Sequence, residues 1–451
     1  MKNSRRNFIK FGSLAGLGLA GSGILKGFAT EAQDMGIISQ SLKPNLITSD
    51  SPIRNLRHSE VHYDVATYCG HPRMVGFHYF GGGEIVVGHF HAPSYYKIYT
   101  DVRHVAYQAR SVCLFQRSMD GGITWPKENE QIIFDRLPFC ENPDELLNRT
   151  SEKRENYDMF RPESIFFSQN SYELNPPLKC FFLRSPDKGY TWEKTPTIVK
   201  NPHGEKLSIS CHNTPVIRMP DGKTLLASLH VNTYINTGDG KELGGETVIF
   251  SSTDQGVSWQ FLSRPIVDPT GASSFGYQTL LLLPGGELQC YVLNSFGKSE
   301  TVQGMQNAIC MVRSYDGGKT WSEGIPISGK GMDIWKNPGK AGVIYRSPWP
   351  ILLKDGRILV VFARRRMPTG IGAILSSDGG KSWSPDFIIR DDGKRWNEDN
   401  HEQGDWGDLG YPVGCQLDDG QIFISYYFSN KDINRNPQGG TRYIAASKFR
   451  I

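Results

Sequence analysis

Arginine and tyrosine recur at matched positions along this chain. Five hairpin-type turns carry glycine at positions 83, 222, 286, 356 and 420. Ten residues before them stand Arg73, His212, Gly276, Arg346 and Gly410; nine before them stand Met74, Asn213, Tyr277, Ser347 and Tyr411. The segment FRPESIFF belongs to a stretch without that glycine, and it puts Arg161 and Glu163 near the same level. If one architectural unit repeats, these positions converge. Arg73, Arg161 and Arg346 would then form a cationic cluster, repulsive unless an anionic ligand neutralises it. Guanidinium forks suit carboxylates. Tyr411 is either a phenol offered to that ligand or a core aromatic with a satisfied hydroxyl. His71, His89, His91, His212 and His230 gather in the first and third repeats. The triplet His89-Phe90-His91 sets two rings on one strand face, which a metal accepts, but two ligands alone do not make a site. Hydrogen-bonded histidines are the plainer expectation, and no metal or cofactor is expected.

The elements that must position these residues show in a turn written five times: SMDGGITW, SPDKGYTW, STDQGVSW, SYDGGKTW and SSDGGKSW. Its aspartates are 120, 187, 254, 316 and 378, and each turn follows a strand-like apolar run such as SVCLFQRS. Upstream in most periods lie two apolar runs joined by a D-G-type turn, as in PWPILLKDGRILVVFA. Each period therefore offers two hairpins, or four antiparallel strands, and a four-stranded unit repeated about an axis is a propeller blade. Residues 409–449 add a sixth set of strands without the aspartate turn. The fold expected is all-β, a six-bladed β-propeller of four-stranded antiparallel blades over 56–451. Residues about 56–68 are expected to lend a strand to the last blade and close the ring, which removes an unpaired edge. Within the turn, the aspartate accepts backbone N–H bonds, the glycine takes a positive φ and the tryptophan buries a large face. All three tasks are structural.

Composition bounds the rest. The formal charge of +4 rests on Lys2, Arg5, Arg6, Lys10 and Lys26; residues 1–30 contain no acid, so the remainder carries −1. A chain so close to neutrality gives no reason to expect nucleic acid as a partner. Ser4-Arg5-Arg6-Asn7-Phe8-Ile9-Lys10 resembles a bacterial twin-arginine export signal, followed by a Gly/Ala/Leu-rich stretch. Residues 1–30 are read as that signal and 31–55 as a linker. The product is expected in the periplasm or outside the cell, without stable membrane insertion after cleavage. Gly16 to Gly21 spell G-x-G-x-x-G, but no strand precedes them. Eight cysteines lie far apart with no C-x-x-C pair, which argues against metal ligation by cysteine. Neither a P-loop nor G-x-S-x-G occurs.

The five turns resemble the Asp-boxes, or BNR repeats, of the sialidase (neuraminidase) superfamily, and the likeness spans the chain after the signal. The register matches further: HPRMVGFHYFGGG places Arg73 where the family opens its first blade with an arginine, and DLGYPVGCQLDDG places Tyr411 where it carries a tyrosine. The resemblance implies an exo-glycosidase that removes a terminal acidic sugar, sialic acid in the first instance, with retention. Tyr411 would be the nucleophile, Asp101 in YTDVRH the acid and Glu163 the base. Arg73, Arg346 and Arg366 would hold the carboxylate, with Arg161 and His212 alongside. A phenol avoids driving a charged acid towards an anionic anomeric centre. Two departures stand out. Tyr277-Gln278 occupies the place of the family's glutamate, and Gln306 that of its second arginine. They keep open an enzyme directed at another sugar, a polysaccharide lyase, or a non-catalytic propeller that binds a glycan.

Overall fold

All five Asp-box turns close on themselves in the same way. In the first, Ser118 Oγ donates to Asp120 Oδ1 (2.7 Å) and accepts from Gly122 N (2.9 Å). Asp120 also accepts from Thr124 N (2.9 Å) and from Thr124 Oγ1 (2.6 Å). The serine–aspartate bond and the hydroxyl two residues past the glycine recur at Asp187, Asp254, Asp316 and Asp378. Each tryptophan packs on the blade before its own. Trp125 meets Phe423, Trp192 meets Phe115, Trp259 meets Phe166 and Phe182, and Trp383 meets Tyr291. Trp321 Nε1 donates to Ser263 Oγ at 3.0 Å. The box is an inter-blade staple.

Its acid response follows from those bonds. The carboxyl of Asp316 is held down at about 2, first by the Thr320 hydroxyl and then by the Thr320 N–H. At Asp120 burial pulls the other way, but bonds from Thr124, Ser118 and Ile123 outweigh it and hold this carboxyl at about 2 as well. A carboxyl depressed in the folded state stabilises fully above its unfolded value and loses that contribution as pH falls through the folded one. The boxes should therefore hold above about pH 5 and let go between roughly pH 4 and 2. Thermal melts of Asp316→Asn should lie below wild type at neutral pH and converge with it near pH 2. Parallel curves at every pH would refute this account.

The computed structural model describes residues 51–97, 99–102, 110–151, 153–171, 177–235, 242–243, 245–267, 274–296, 308–328, 345–365, 368–394, 407–436 and 439–451. The expected signal and most of the expected linker lie outside them. Residues 44–451 form one unit. It is a six-bladed β-propeller built of antiparallel sheets. The fifth blade shows the pattern plainly, with strands Tyr345–Leu352, Ile358–Arg364, Gly370–Ser376 and Phe387–Arg390 paired in that order. The second blade has three strands among the described residues, Ile165–Asn170, Cys180–Ser185 and Thr197–Val199. The strand Arg54–His62 pairs with Thr441–Arg450, so the N-terminal side of the unit completes the sixth blade and closes the ring. Every described cysteine is a free thiol. No described helix is long and apolar enough to cross a membrane.

One feature of the inner strands aims side chains at the axis. Blades four, five and six carry a register shift at Gly276/Thr279, Arg346/Trp349 and Gly410/Val413. Inside each bulge one residue is left-handed: Tyr277 (φ 54), Ser347 (φ 54) and Tyr411 (φ 51). For bulky residues this conformation costs about 1–2 kcal/mol each. Gly410 precedes Tyr411 with φ 121, and a Cβ there would collide with Ala363 of the fifth blade. Glycine is what lets the sixth inner strand approach so closely.

Candidate active site

Two phenols meet at the axis. Tyr277 Oη and Tyr411 Oη lie 3.0 Å apart, brought from blades four and six by the same bulge. Around them stand three guanidinium groups. The Cζ of Arg346 lies 5.8 Å from the Tyr277 ring centre, and that of Arg365 lies 5.8 Å from the Tyr411 ring centre. Arg73 is near enough for its charge to act on both phenols. His212 stacks on Tyr277 at 5.4 Å and 26°, and His71 meets the Tyr411 ring edge-on at 4.4 Å.

The cations divide the two protons unequally. Burial alone raises Tyr277; Arg346, the bond from Tyr411, Arg365 and Arg73 outweigh it, so its phenol falls below the usual value. Tyr411 is pushed well above it, by burial first and then by Tyr277. The two titrate as a pair, Tyr277 below the usual phenol value and Tyr411 well above it. Tyr277 is thus the readier of the two phenols to give up its proton. His212 supplies no further cation here, because burial, Arg73 and His230 hold it well below its ordinary value, hence neutral.

A carboxylate supports this cluster from behind. Asp408 Oδ1 accepts from Tyr427 Oη (2.6 Å), while Oδ2 accepts from Arg442 Nε (3.1 Å) and Tyr68 Oη (3.3 Å). Burial pulls its carboxyl upward, but Arg442, Arg365 and His71 prevail and keep it ionised. Asp408 is thus a poor proton donor and a good anchor. It steadies Tyr427, which stacks on His71 at 4.7 Å and accepts from Arg365 Nη2 at 2.8 Å.

Arg73 requires a correction. Its side chain is fully buried, with Nη1 donating to Pro348 O (2.7 Å) and Nη2 to Gln278 O. These are the carbonyls that the fourth and fifth bulges turn inward. The short helix Pro72–Val75, entered through left-handed His71, holds the guanidinium in this buried position, where it clasps the fourth and fifth blades. Arg161 and Glu163 are also corrected. Lys188 N donates to Glu163 O (2.7 Å) as Gly121 N donates to Gly83 O (2.8 Å), so Glu163 occupies its blade's hairpin turn beside an Asp-box. The two pair with each other there, Arg161 63% exposed, at the end of the propeller opposite the phenols. An axial cavity of ≈ 500 Å³ opens at that hairpin end between Phe77, Ile217, Leu281, Trp349 and Gly414, and no carboxyl lines it.

Other expected residues fall as follows. Tyr411, Arg346 and His212 come together at the axis. Arg366 lies outside the described residues; of its two neighbours, Arg365 reaches the phenols, while Arg364 turns to Asp386 at 3.7 Å. Asp101 sits in the short helical turn Tyr99–Val102, after the strand Ile85–Pro93 and beyond the end where Pro93 pairs with Thr67. Its Oδ2 accepts from Lys97 N at 2.8 Å, and its carbonyl accepts from Ser94 Oγ. Sequence reasoning missed Arg365, Asp408, Tyr427 and the pairing of Tyr277 with Tyr411. The one available signal was D-L-G-Y, an acid three residues before the register tyrosine.

Residues 183–424, more than half of the chain, match the family described as BNR repeat-like domain. The chain belongs to that family. The BNR repeat-like chain is sialidase-like in fold. A crystal structure of a Dyadobacter fermentans protein of unknown function is 20% identical, with a TM-score of 0.60 over 88% of this chain and 99% of that one. The Hadza microbial sialidase Hz136 is 15% identical (TM-score 0.51, 87% of this chain, 68% of that one). The leech intramolecular trans-sialidase, complexed with 2,7-anhydro-Neu5Ac, is 13% identical (TM-score 0.51, 87% and 70%). At such identities the likeness is one of fold. No curated protein matches this BNR repeat-like sequence.

Proposed function

We propose that this BNR repeat-like propeller is an exported exo-glycosidase of the sialidase type, which hydrolyses a terminal acidic sugar from glycoconjugates. The observation that carries the reading is the Tyr277–Tyr411 pair, a phenol nucleophile and its partner under convergent guanidinium groups. Arg346 and Arg365 hold the sugar carboxylate. Tyr277, standing where the family's glutamate would be, acts in its phenolate form and takes the Tyr411 proton, which it returns when the sugar leaves. Tyr411 Oη then bonds to the anomeric carbon while Asp101 protonates the departing glycosidic oxygen. Water, deprotonated by the Asp101 carboxylate, releases the sugar with retention and restores Tyr411. His212 orients Tyr277 by stacking, as a neutral ring.

The purified protein should release 4-methylumbelliferone from its α-sialoside. Absence of turnover on that substrate and on every other terminal acidic sugar tested would overturn the proposal. A second reading has one observation in its favour: a phenol rather than a carboxylate stands beside Tyr411. A lyase acting on a uronate could use such a pair to remove a proton, and an unsaturated product absorbing in the ultraviolet distinguishes it from a hydrolase.

A further inference from the structure

Where the ring closes, three strands carry a cluster that the axial site does not use. His62 ends the closing strand Arg54–His62. Cys69, in Thr67–Gly70, lies directly opposite His91 of Ile85–Pro93. Residues directly opposite in an antiparallel pair share a face, and His89, two residues from His91, points the same way. The three imidazoles pack against one another, His62 at 4.8 Å from His89 and 5.1 Å from His91 between ring centres. One ligand atom from each of His62, Cys69 and His91 lies within 4.8 Å of the other two.

The spacings suit a metal better than hydrogen bonding. Cys69 Sγ stands 3.7 Å from His91 Nδ1. In a tetrahedral zinc site, bond lengths of about 2.3 Å to sulfur and 2.05 Å to nitrogen set that edge at about 3.6 Å. His62 faces the Glu130 carboxylate through Nδ1 at 3.5 Å, the kind of partner that orients a metal-bound imidazole from behind. That leaves His62 Nε2 for the metal. It is buried beside Gln116 without a well-formed hydrogen bond, and His89 Nε2 is buried without one too.

We propose that His62, Cys69 and His91 form a zinc site that staples the ring-closing strand to the first blade, with the fourth position left to solvent or to His89 Nε2. Two nitrogens and one sulfur are a borderline-soft set, suited to zinc rather than to calcium or magnesium. Cysteine binds a metal as its thiolate. Binding therefore releases one proton, from Cys69 Sγ, as the metal–sulfur bond forms. The staple differs from a catalytic metal: its ligands join two blades, so its loss should loosen closure and leave the phenol pair in place.

The full chain, stripped with chelator and then dialysed against equimolar zinc, should retain one zinc ion per chain and melt at a higher temperature than the stripped form. Cobalt(II) in place of zinc should give a thiolate-to-cobalt charge-transfer band, absent from Cys69→Ser and weakened in His91→Gln. If wild type retains no zinc, or if Cys69→Ser shows the same cobalt spectrum, the proposal falls. Should Cys69→Ser not fold, His91→Gln and His62→Gln take its place, and unchanged zinc content in both would be equally decisive.

Discussion

Replacing Tyr411 with phenylalanine is expected to lower kcat/KM by roughly 10³-fold or more, because one oxygen atom supplies the attacking group. The ring itself should stay where it is. It is packed by His71 at 4.4 Å, Tyr277 at 5.5 Å and Tyr427 at 5.9 Å, and phenylalanine keeps all three contacts. What disappears is the 3.0 Å bond to Tyr277, a stability loss of about 1 kcal/mol. Activity and stability should thus separate sharply: near-native thermal unfolding with turnover close to background. A Tyr411→Phe enzyme within tenfold of wild type would remove the phenol from the mechanism. The left-handed backbone at this position sharpens the prediction, since strain at φ 51 persists only where the surroundings impose it.

The second large effect lies at Arg73, and it is one of stability. Substitution by methionine removes the donor for Gln278 O and one of two donors for Pro348 O, which keeps the Thr279 hydroxyl at 3.1 Å. Two bonds from a charged donor, at about 1.5–3 kcal/mol each, put the loss at about 3–6 kcal/mol. Equilibrium unfolding in urea should show it as a lower midpoint. Substrate affinity, measured where the variant is folded, should change far less. A raised KM with unchanged urea midpoint would return Arg73 to the ligand-binding set. Burial holds this guanidinium down to about 9, the phenol charges only partly compensating, so it ionises less firmly than an exposed arginine.

Arg73 and Tyr411 illustrate how far register counting reaches. Both were found ten and nine residues before a hairpin glycine, and both lie near the axis, because strand rise is constant and the blades repeat. Counting does not say which way a side chain turns. A helical turn draws Arg73 inward, whereas a bulge presents Tyr411. Arg161 and Glu163 failed for a different reason. Their blade lacks the glycine that anchors the count, and the pairing of Ile165 with Ser185 shows them to be already in the hairpin turn.

The sequence by itself determined the propeller, its box staples and the strand that closes it. Each depends on contacts within one repeat, or between neighbours, and a period-2 strand pattern with a defined turn writes these locally. Only the tertiary structure decided the chemistry. Arg365 rather than Arg364 faces the phenols, since adjacent strand residues point to opposite sides and the axis lies on one of them. Asp408 meets Tyr68 across 340 residues, and His62 meets His91 only because the ring closes. Such meetings depend on blade twist, on bulges and on which residue bears the left-handed strain. Those quantities are settled by packing the whole ring, and no single repeat contains them.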